Sequence, residues 1–545
     1  MSKPERSDGF DRRDVALLML LLTLTVIVLG KDITVGGFRY GDSAAHAMDG
    51  VLIHDWVAAG PEAWPHPMEF AERQYAHYPT LGIGRHYPPG FAVVEAGFFA
   101  LFGISIFTAR LCVMFFGLAA IAGAYVFIRC FADRWAAMLG AAALLTLPAT
   151  TQWGRQVMLE VPTLSVAVGA AIALAAYLRS PTFRRLALAL SVATFALAFK
   201  QTAVFLFGAI AVTTLLAAAR RAVPARHAGF AAAAAIVASA GILWSLDGHA
   251  TQLLRGVPTL TARWSVEAIT YYLRALPSQS GLAILALALI GGVASWKRLG
   301  AIGVFLAAWF ITCYFMVTVA DYKNDRHFFL GLFPVAVCAG LGWHALLCRC
   351  PQWIPKPAAA CAAAFWLGAT GVAAPVEHRP DYGPVVAANA ERIAGHAVLI
   401  SGLREGDFVF AVREHVPWRQ AVVLRGSKVL YTCNGRADLD YVARVQSAEE
   451  LVRLMSGLAF NTVFIEREDK VGVPQEGMLR AYLGAGGAYR RIASYEYRND
   501  AAPSCRDATL DVYEPARPML RTVQRVELLI PRSQRRIAMD LRNWS

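Results

Sequence analysis

The chain of 545 residues is 57% hydrophobic and only 17% charged, with a mean hydropathy of +0.44. A soluble protein of this length carries more charge, so a polytopic membrane protein is expected. The formal charge of +13 does not indicate a nucleic-acid binder, because the cations sit mainly in clusters between apolar runs and in an arginine-rich tail.

The first apolar run, Val15 to Gly30, follows Arg12 and Arg13 and leads into KDITVGG with no small-residue cleavage site. It reads as an uncleaved span with a cytoplasmic N-terminus. A polar loop over 31–88 follows, rich in His, Pro, Trp and Tyr, and a loop of that length is usually functional. Apolar runs then recur at 89–103, 108–130, 136–152, 157–178, 186–216, 227–245, 281–295, 299–319, 327–347 and 356–375. From about Pro375 the hydropathy drops and stays low. About 11–13 membrane helices are therefore expected in a transmembrane domain over 1–375. A soluble α/β domain is expected over 376–545.

Positive clusters orient the runs. Arg129/Arg134, Arg179/Arg184/Arg185, Arg220/Arg221/Arg226, Lys297/Arg298 and Arg349 all read as cytoplasmic. The 31–88 loop, Glu160, the Asp321 to Arg326 segment and the C-terminal domain then fall on the periplasmic, non-cytoplasmic side of the inner (plasma) membrane. Parity leaves one difficulty: two runs lie between the loop and Arg129, where one or three are needed. The 89–103 run is short enough to be re-entrant.

The run 186–216 carries Lys200 near its middle. As one helix it would span roughly 46 Å, longer than a bilayer core of about 30 Å. Its two flanking arginine clusters share a side, so the run needs an even number of crossings. Two short helices meeting near Lys200 satisfy both facts and put the ammonium just below the outer surface.

In the C-terminal domain AVLISG, DFVFAV, VVLRGSKVLYT and NTVFIE read as strands, and SAEELVRLMSGL as an amphipathic helix with a serine N-cap. Nine cysteines are scattered along the chain. Cys348 and Cys350 lack a partner pair for zinc. Cys433 and Cys505 are the only two in the C-terminal domain, and an oxidising compartment would bridge them.

The residues that could carry chemistry gather on the outer side. They are Asp42, Asp49 and His54 in YGDSAAHAMDGVLIHDW; Arg85, His86 and Tyr87 in GRHYPPGF; Glu160 in GRQVMLEVPTL; Lys200; and Lys323, Asp325 and Arg326 in DYKNDRHFFLGLFP. Singly each has a bland explanation. A carboxylate outside a span caps a helix, an arginine anchors at the interface, and a lysine snorkels. His46 and His54 read as interfacial fillers, and with no metal-ligand spacing no metal site is assigned. Together, two carboxylates and fixed cations at a membrane surface suit a reaction on a phosphate-bearing lipid. Lysine and arginine neutralise the phosphate, and a carboxylate deprotonates an acceptor hydroxyl.

The order GDSAAHA, YPPG, RQVMLEVPTL, FALAFKQTAVFL and NDRHFFLGLFP resembles the C-type (GT-C) polyprenyl-phosphate-sugar-dependent glycosyltransferases. The nearest branches are the protein O-mannosyltransferases and the lipid A aminoarabinose transferases. The resemblance covers roughly 40–380 and implies that Asp42 is the catalytic carboxylate and Glu160 the second acidic residue. It implies that Lys200 and Arg326 bind the donor phosphate, with Arg85, His86 and Tyr87 in the substrate site. Glu160 stands where Asp is common, and His327 where Tyr is common.

The implied function is an inverting transfer of a sugar from a polyprenyl-phosphate carrier to a lipid, glycan or protein acceptor on the non-cytoplasmic face. Stabilising the leaving phosphate needs charge rather than a nucleotide-type metal site, which leaves room for a divalent ion. The alternative is a secondary transporter of a lipid-linked or anionic substrate. Against it, no matched pair of interrupted helices recurs in two halves. A non-catalytic envelope scaffold is the third class. The tail from Arg517 to Arg542 carries seven arginines, either as a solvated basic face or as a contact to anionic lipid or acceptor.

Overall fold

The computed structural model describes residues 10–81, 87–245, 265–320, 323–349, 355–376, 379–432, 441–468, 472–498, 507–529 and 536–541. The sequence predictions at Arg85, His86 and the Cys433–Cys505 pair lie outside them. The chain divides into two compact units. The first comprises 1–33, 87–91 and 110–375; the second comprises 34–86, 92–109 and 376–545. The polar loop thus clusters with the C-terminal region and not with the membrane helices.

The first unit is helical. Among the described residues of the chain, seven helices are long and apolar enough to cross a membrane, among them Ile106–Arg129, Glu160–Arg179, Ala301–Val319 and Asp325–Leu347. Three shorter apolar helices also occur among the described residues: Arg134–Thr146 and Pro357–Ala373 in this unit, and Gly90–Phe102, most of which belongs to the second. Two apolar runs break where the sequence contains a reason. The run 136–152 splits at Leu147, whose extended ψ of 131° is what a following proline requires, into Arg134–Thr146 and Pro148–Gly154. The run 186–216 becomes Phe183–Leu197 and, after a 3₁₀ turn at Gln201–Val204, Phe205–Ala219. Lys200 stands between them in extended backbone, as its flanking charges and the length of the run require.

Opposite ends of the first helix, Arg12–Leu29, carry different chemistry. At its start Arg129 binds the buried Asp14 at 2.7 Å, Tyr125 donates to the same carboxylate at 2.6 Å, and Arg134 pairs with Asp11 at 2.9 Å. Arg129 and Arg134, one of the basic clusters of the sequence, thus meet at the start of this helix. At its end Arg155 donates to the carbonyls of Val28 (2.9 Å) and Gly371 (2.7 Å), and Lys31 donates to that of Val372 (2.7 Å). Both cations donate to carbonyls at helix C-termini, where intrahelical donors run out.

The second unit contains the strands β1 (His396–Ser401), β2 (Ala421–Arg425), β3 (Tyr431–Thr432), β4 (Val442–Ala443), β5 (Thr462–Glu466), β6 (Tyr489–Arg498) and β7 (Asp507–Pro515). Its main sheet has five strands in the order β2-β1-β5-β7-β6, and β3 and β4 form a separate antiparallel pair. β1 runs parallel to β2 and β5, with Val398 opposite Val423 and Ile400 opposite Phe464; β7 is antiparallel to β5 and β6. Every residue of β5 is buried, as befits a strand covered on both faces. Helix Ala448–Leu458 begins at Ser447, whose side chain accepts from the Glu450 N–H.

Two strand predictions fail here. DFVFAV lies in helix Glu405–His415, because parallel β1 and β2 require a crossover, and a helix buried nearly all round tolerates its Phe and Val. VVLRGSKVLYT is interrupted by a helical turn at Gly426–Val429, fixed where the Ser427 N–H donates to Glu405 at 3.0 Å. The tail forms a hairpin, β8 (Arg525–Leu529) with β9 (Arg536–Asp540), and buries Leu528, Ile537, Met539 and Leu541 in the unit's core.

Candidate functional site

In the first unit the site begins with the break at Lys200. A lysine inside an apolar run is costly unless paired. Its ammonium donates to the Glu160 carboxylate at 2.6 Å, with Lys200 12% and Glu160 1% exposed. Glu160 opens helix Glu160–Arg179, where an acidic residue is favoured by the helix dipole. An ammonium has three donors, so one carboxylate does not exhaust it.

The YPPG segment is fixed against the same turn. The Gly90 N–H donates to the Ala198 carbonyl at 2.6 Å, and a Cβ at Gly90 would lie 2.4 Å from that oxygen. Only glycine permits this approach. Tyr87, half-buried, begins the segment.

Arg326 lies in the 3₁₀ turn Asp325–Gly331, which packs against helix Glu160–Arg179 and against helix Ala301–Val319. Asn324 caps the turn by accepting from the Arg326 N–H at 3.1 Å, and Trp309 anchors it through Leu330 O at 2.8 Å. Arg326 itself is 9% exposed. Lys323 serves the fold: it donates to Ala320 O at 2.7 Å and to Thr318 O, closing the end of helix Ala301–Val319, and lies over the Tyr272 ring. The structure thus brings Glu160, Lys200, YPPG and the arginine turn together in one unit.

Asp42 and Asp49 belong to the second unit. Asp42 occupies the N-cap position of helix Ser43–Ala58 with no capping bond from its side chain. Asp42, His46 and Asp49 follow at i, i+4 and i+7, which sets them along one helix face. His46 and Asp49 are buried. His54 instead joins a fold-supporting network, where its ring hydrogen-bonds Asp55 at 3.0 Å and Arg413 binds the same carboxylate at 2.5 Å. Burial pushes the Asp55 pKa up, but the bonds from His54 and Arg413 outweigh it and hold the group below its usual range.

Sequence reasoning missed Glu95, in helix Gly90–Phe102. It is fully buried, neither oxygen has a hydrogen-bond partner among the described residues, and a Cβ at Gly50 would meet its Oε2 at 2.4 Å. A carboxylate inside an apolar run was the available signal. Among the described residues no three His, Cys, Asp or Glu side chains gather as metal ligands.

The apolar helices and the α/β second unit share the GT-C fold of integral membrane proteins, as the similarity to solved structures shows. Residues 86–244 match the family model of dolichyl-phosphate-mannose-protein mannosyltransferases. The chain is similar to ArnT from Cupriavidus metallidurans bound to undecaprenyl phosphate, at 11% identity and a TM-score of 0.55, over 91% of this chain and 97% of that one. It is similar to the archaeal oligosaccharyltransferase AglB from Archaeoglobus fulgidus, in complex with an inhibitory peptide and a dolichol-phosphate. There the identity is 11% and the TM-score 0.52, over 91% and 80% of the two chains. It is also similar to the mycobacterial arabinofuranosyltransferase AftD, at 14% identity and a TM-score of 0.50, over 94% of this chain and 40% of that one. No curated protein matches the sequence.

Proposed function

We propose that the protein is an inverting glycosyltransferase that moves a sugar from a polyprenyl-phosphate carrier to a lipid, glycan or protein acceptor on the non-cytoplasmic face. The observation that carries this reading is the Glu160–Lys200 pair beside the Arg326 turn, cations held within a bundle of apolar helices. A lipid phosphate needs its tail in hydrocarbon and its charge against fixed cations. Similarity to proteins whose structures contain undecaprenyl phosphate or dolichol-phosphate supports the same donor class.

In this reading Lys200 and Arg326 hold the donor phosphate and stabilise the charge it gains as the sugar–oxygen bond breaks. Glu160 keeps the ammonium charged and oriented. Asp42 takes the proton of the acceptor hydroxyl as that oxygen attacks the sugar carbon. A divalent ion would act on the same leaving phosphate.

The test is transfer of label from polyprenyl-phosphate sugars to membrane acceptors by the purified chain. Lys200→Ala and Arg326→Ala should raise the KM for the lipid donor. Unchanged KM and turnover in both would remove the phosphate assignment. Transfer absent with every lipid-linked sugar would remove the glycosyltransferase reading.

A further inference from the structure

Helix Val266–Ser280 presents one buried face, Ala268, Tyr272, Leu276, Gln279 and Ser280. It packs against the short helix Pro148–Gly154 and against the arginine turn, and Pro148–Gly154 packs in turn on helix Glu160–Arg179. Gln279 is 5% exposed, yet neither its amide oxygen nor its amide nitrogen has a hydrogen-bond partner among the described residues. Thr150 in Pro148–Gly154 and Gln156 in the following loop are also buried, with the Thr150 hydroxyl and the Gln156 Oε1 likewise unbonded. Gln156 is placed by its neighbour Arg155, whose guanidinium is bound to Val28 O and Gly371 O.

Leaving a buried amide or hydroxyl unbonded is costly, and an apolar side chain of the same shape would be cheaper. Here Gln279 and Thr150 occur on elements that touch one another and the Arg326 turn, and Gln156 follows Thr150's helix by two residues. All three are neutral. Phosphate binding calls for the charges of Lys200 and Arg326, whereas an amide, donor and acceptor at once, complements a hydroxyl. We propose that Gln279, Thr150 and Gln156 form a subsite for a polyhydroxylated ring, the sugar carried by the lipid phosphate. This assignment rests on the glycosyltransferase reading and adds to it which residues select the sugar.

Gln279→Leu and Thr150→Val keep size and remove the hydrogen-bonding atoms. The probes are undecaprenyl phosphate and its mannosyl and arabinofuranosyl esters, with binding read by native mass spectrometry of the full chain in detergent. Wild type should bind at least one ester more tightly than the bare phosphate. In Gln279→Leu that preference should shrink by about 10-fold, as expected when a hydrogen-bonding site loses its partner, with bare-phosphate affinity unchanged. Thermal stability without ligand should be equal to or above wild type, because an unbonded group has been removed; Thr150→Val should behave the same way. An intact preference in both variants, an equal loss for ester and bare phosphate, or a lowered melting temperature would overturn the subsite. Wild type that binds bare phosphate but prefers neither ester also overturns it, while leaving the phosphate site standing. Wild type that binds none of the probes defeats the donor reading itself.

Discussion

Lys200→Met leaves Glu160, 1% exposed, without the ammonium that lies 2.6 Å from it. Removing one partner of a buried ion pair costs about 3–5 kcal/mol, because the other charge keeps its desolvation penalty. At about 2 °C per kcal/mol for a large domain, the melting temperature should fall by roughly 6–10 °C. Replacing both partners, Lys200→Met with Glu160→Leu, removes both buried charges and should restore stability to within about 1 kcal/mol of wild type. The double variant then separates structure from function: it should be as stable as wild type and still fail to bind undecaprenyl phosphate. Thermal unfolding in detergent gives the first quantity and native mass spectrometry with undecaprenyl phosphate the second. A single variant as stable as wild type would refute the buried-pair reasoning. A double variant that binds the lipid phosphate normally would refute the role of Lys200.

Asp42→Asn keeps size but cannot accept a proton, so turnover should fall by roughly 10²-fold or more while donor binding holds; a near-normal Asp42→Asn beside an inactive Asp49→Asn would transfer the assignment to Asp49. The sheet unit should be more stable in mild acid. Burial, then the Glu405 charge, pushes the Glu476 pKa up to about 7, and burial, then Asp381, pushes Glu414 up to about 7. Burial raises Asp407 to about 6 although Arg404 opposes it. With folded values above the unfolded ones, their stabilisation is complete below about pH 4 and is lost as pH rises through 6–7. Glu476 alone accounts for up to about 3 kcal/mol. Amide exchange in β1 and β5, corrected for intrinsic rate, should show more protection at pH 5.5 than at 8, and Glu476→Gln should flatten the difference. Removing residues 517–545 should lower the sheet unit's stability, since Leu528 and Met539 leave its core; Leu528→Ala by itself should cost about 2–5 kcal/mol, measured by denaturant unfolding of the full chain.

The break at Lys200 was legible because charge and length both forbid a single helix there. Glu160 and Arg326 were legible through motif order, since a charged residue beside an apolar run is conspicuous. Glu95 carries the same kind of signal but sits in a run too short to weigh as a span. Gln279 was illegible because a neutral amide in ALPSQSG hardly alters hydropathy, and only packing reveals that nothing bonds it. DFVFAV misled because its composition favours a strand, while the parallel pairing of β1 with β2, a long-range fact, demands a helix between them. The same holds for the polar loop: its attachment to the sheet unit depends on contacts such as Asp55 with Arg413 and Phe38 with Phe410, each separated by more than 350 positions.

That interleaving imposes an order on biosynthesis. Residues 34–86 and 92–109 leave the ribosome early, but the sheet whose unit they share begins only after residue 376, about 270 residues later. At about 5–20 residues per second the delay is roughly 13–54 s, during which membrane helices are inserted one after another. Phe38, Asp55 and Gln74 must spend that interval without Phe410, Arg413 and Trp418. The first polar segment to be synthesised is therefore among the last to fold, and a chain cut at residue 375 would leave it permanently incomplete.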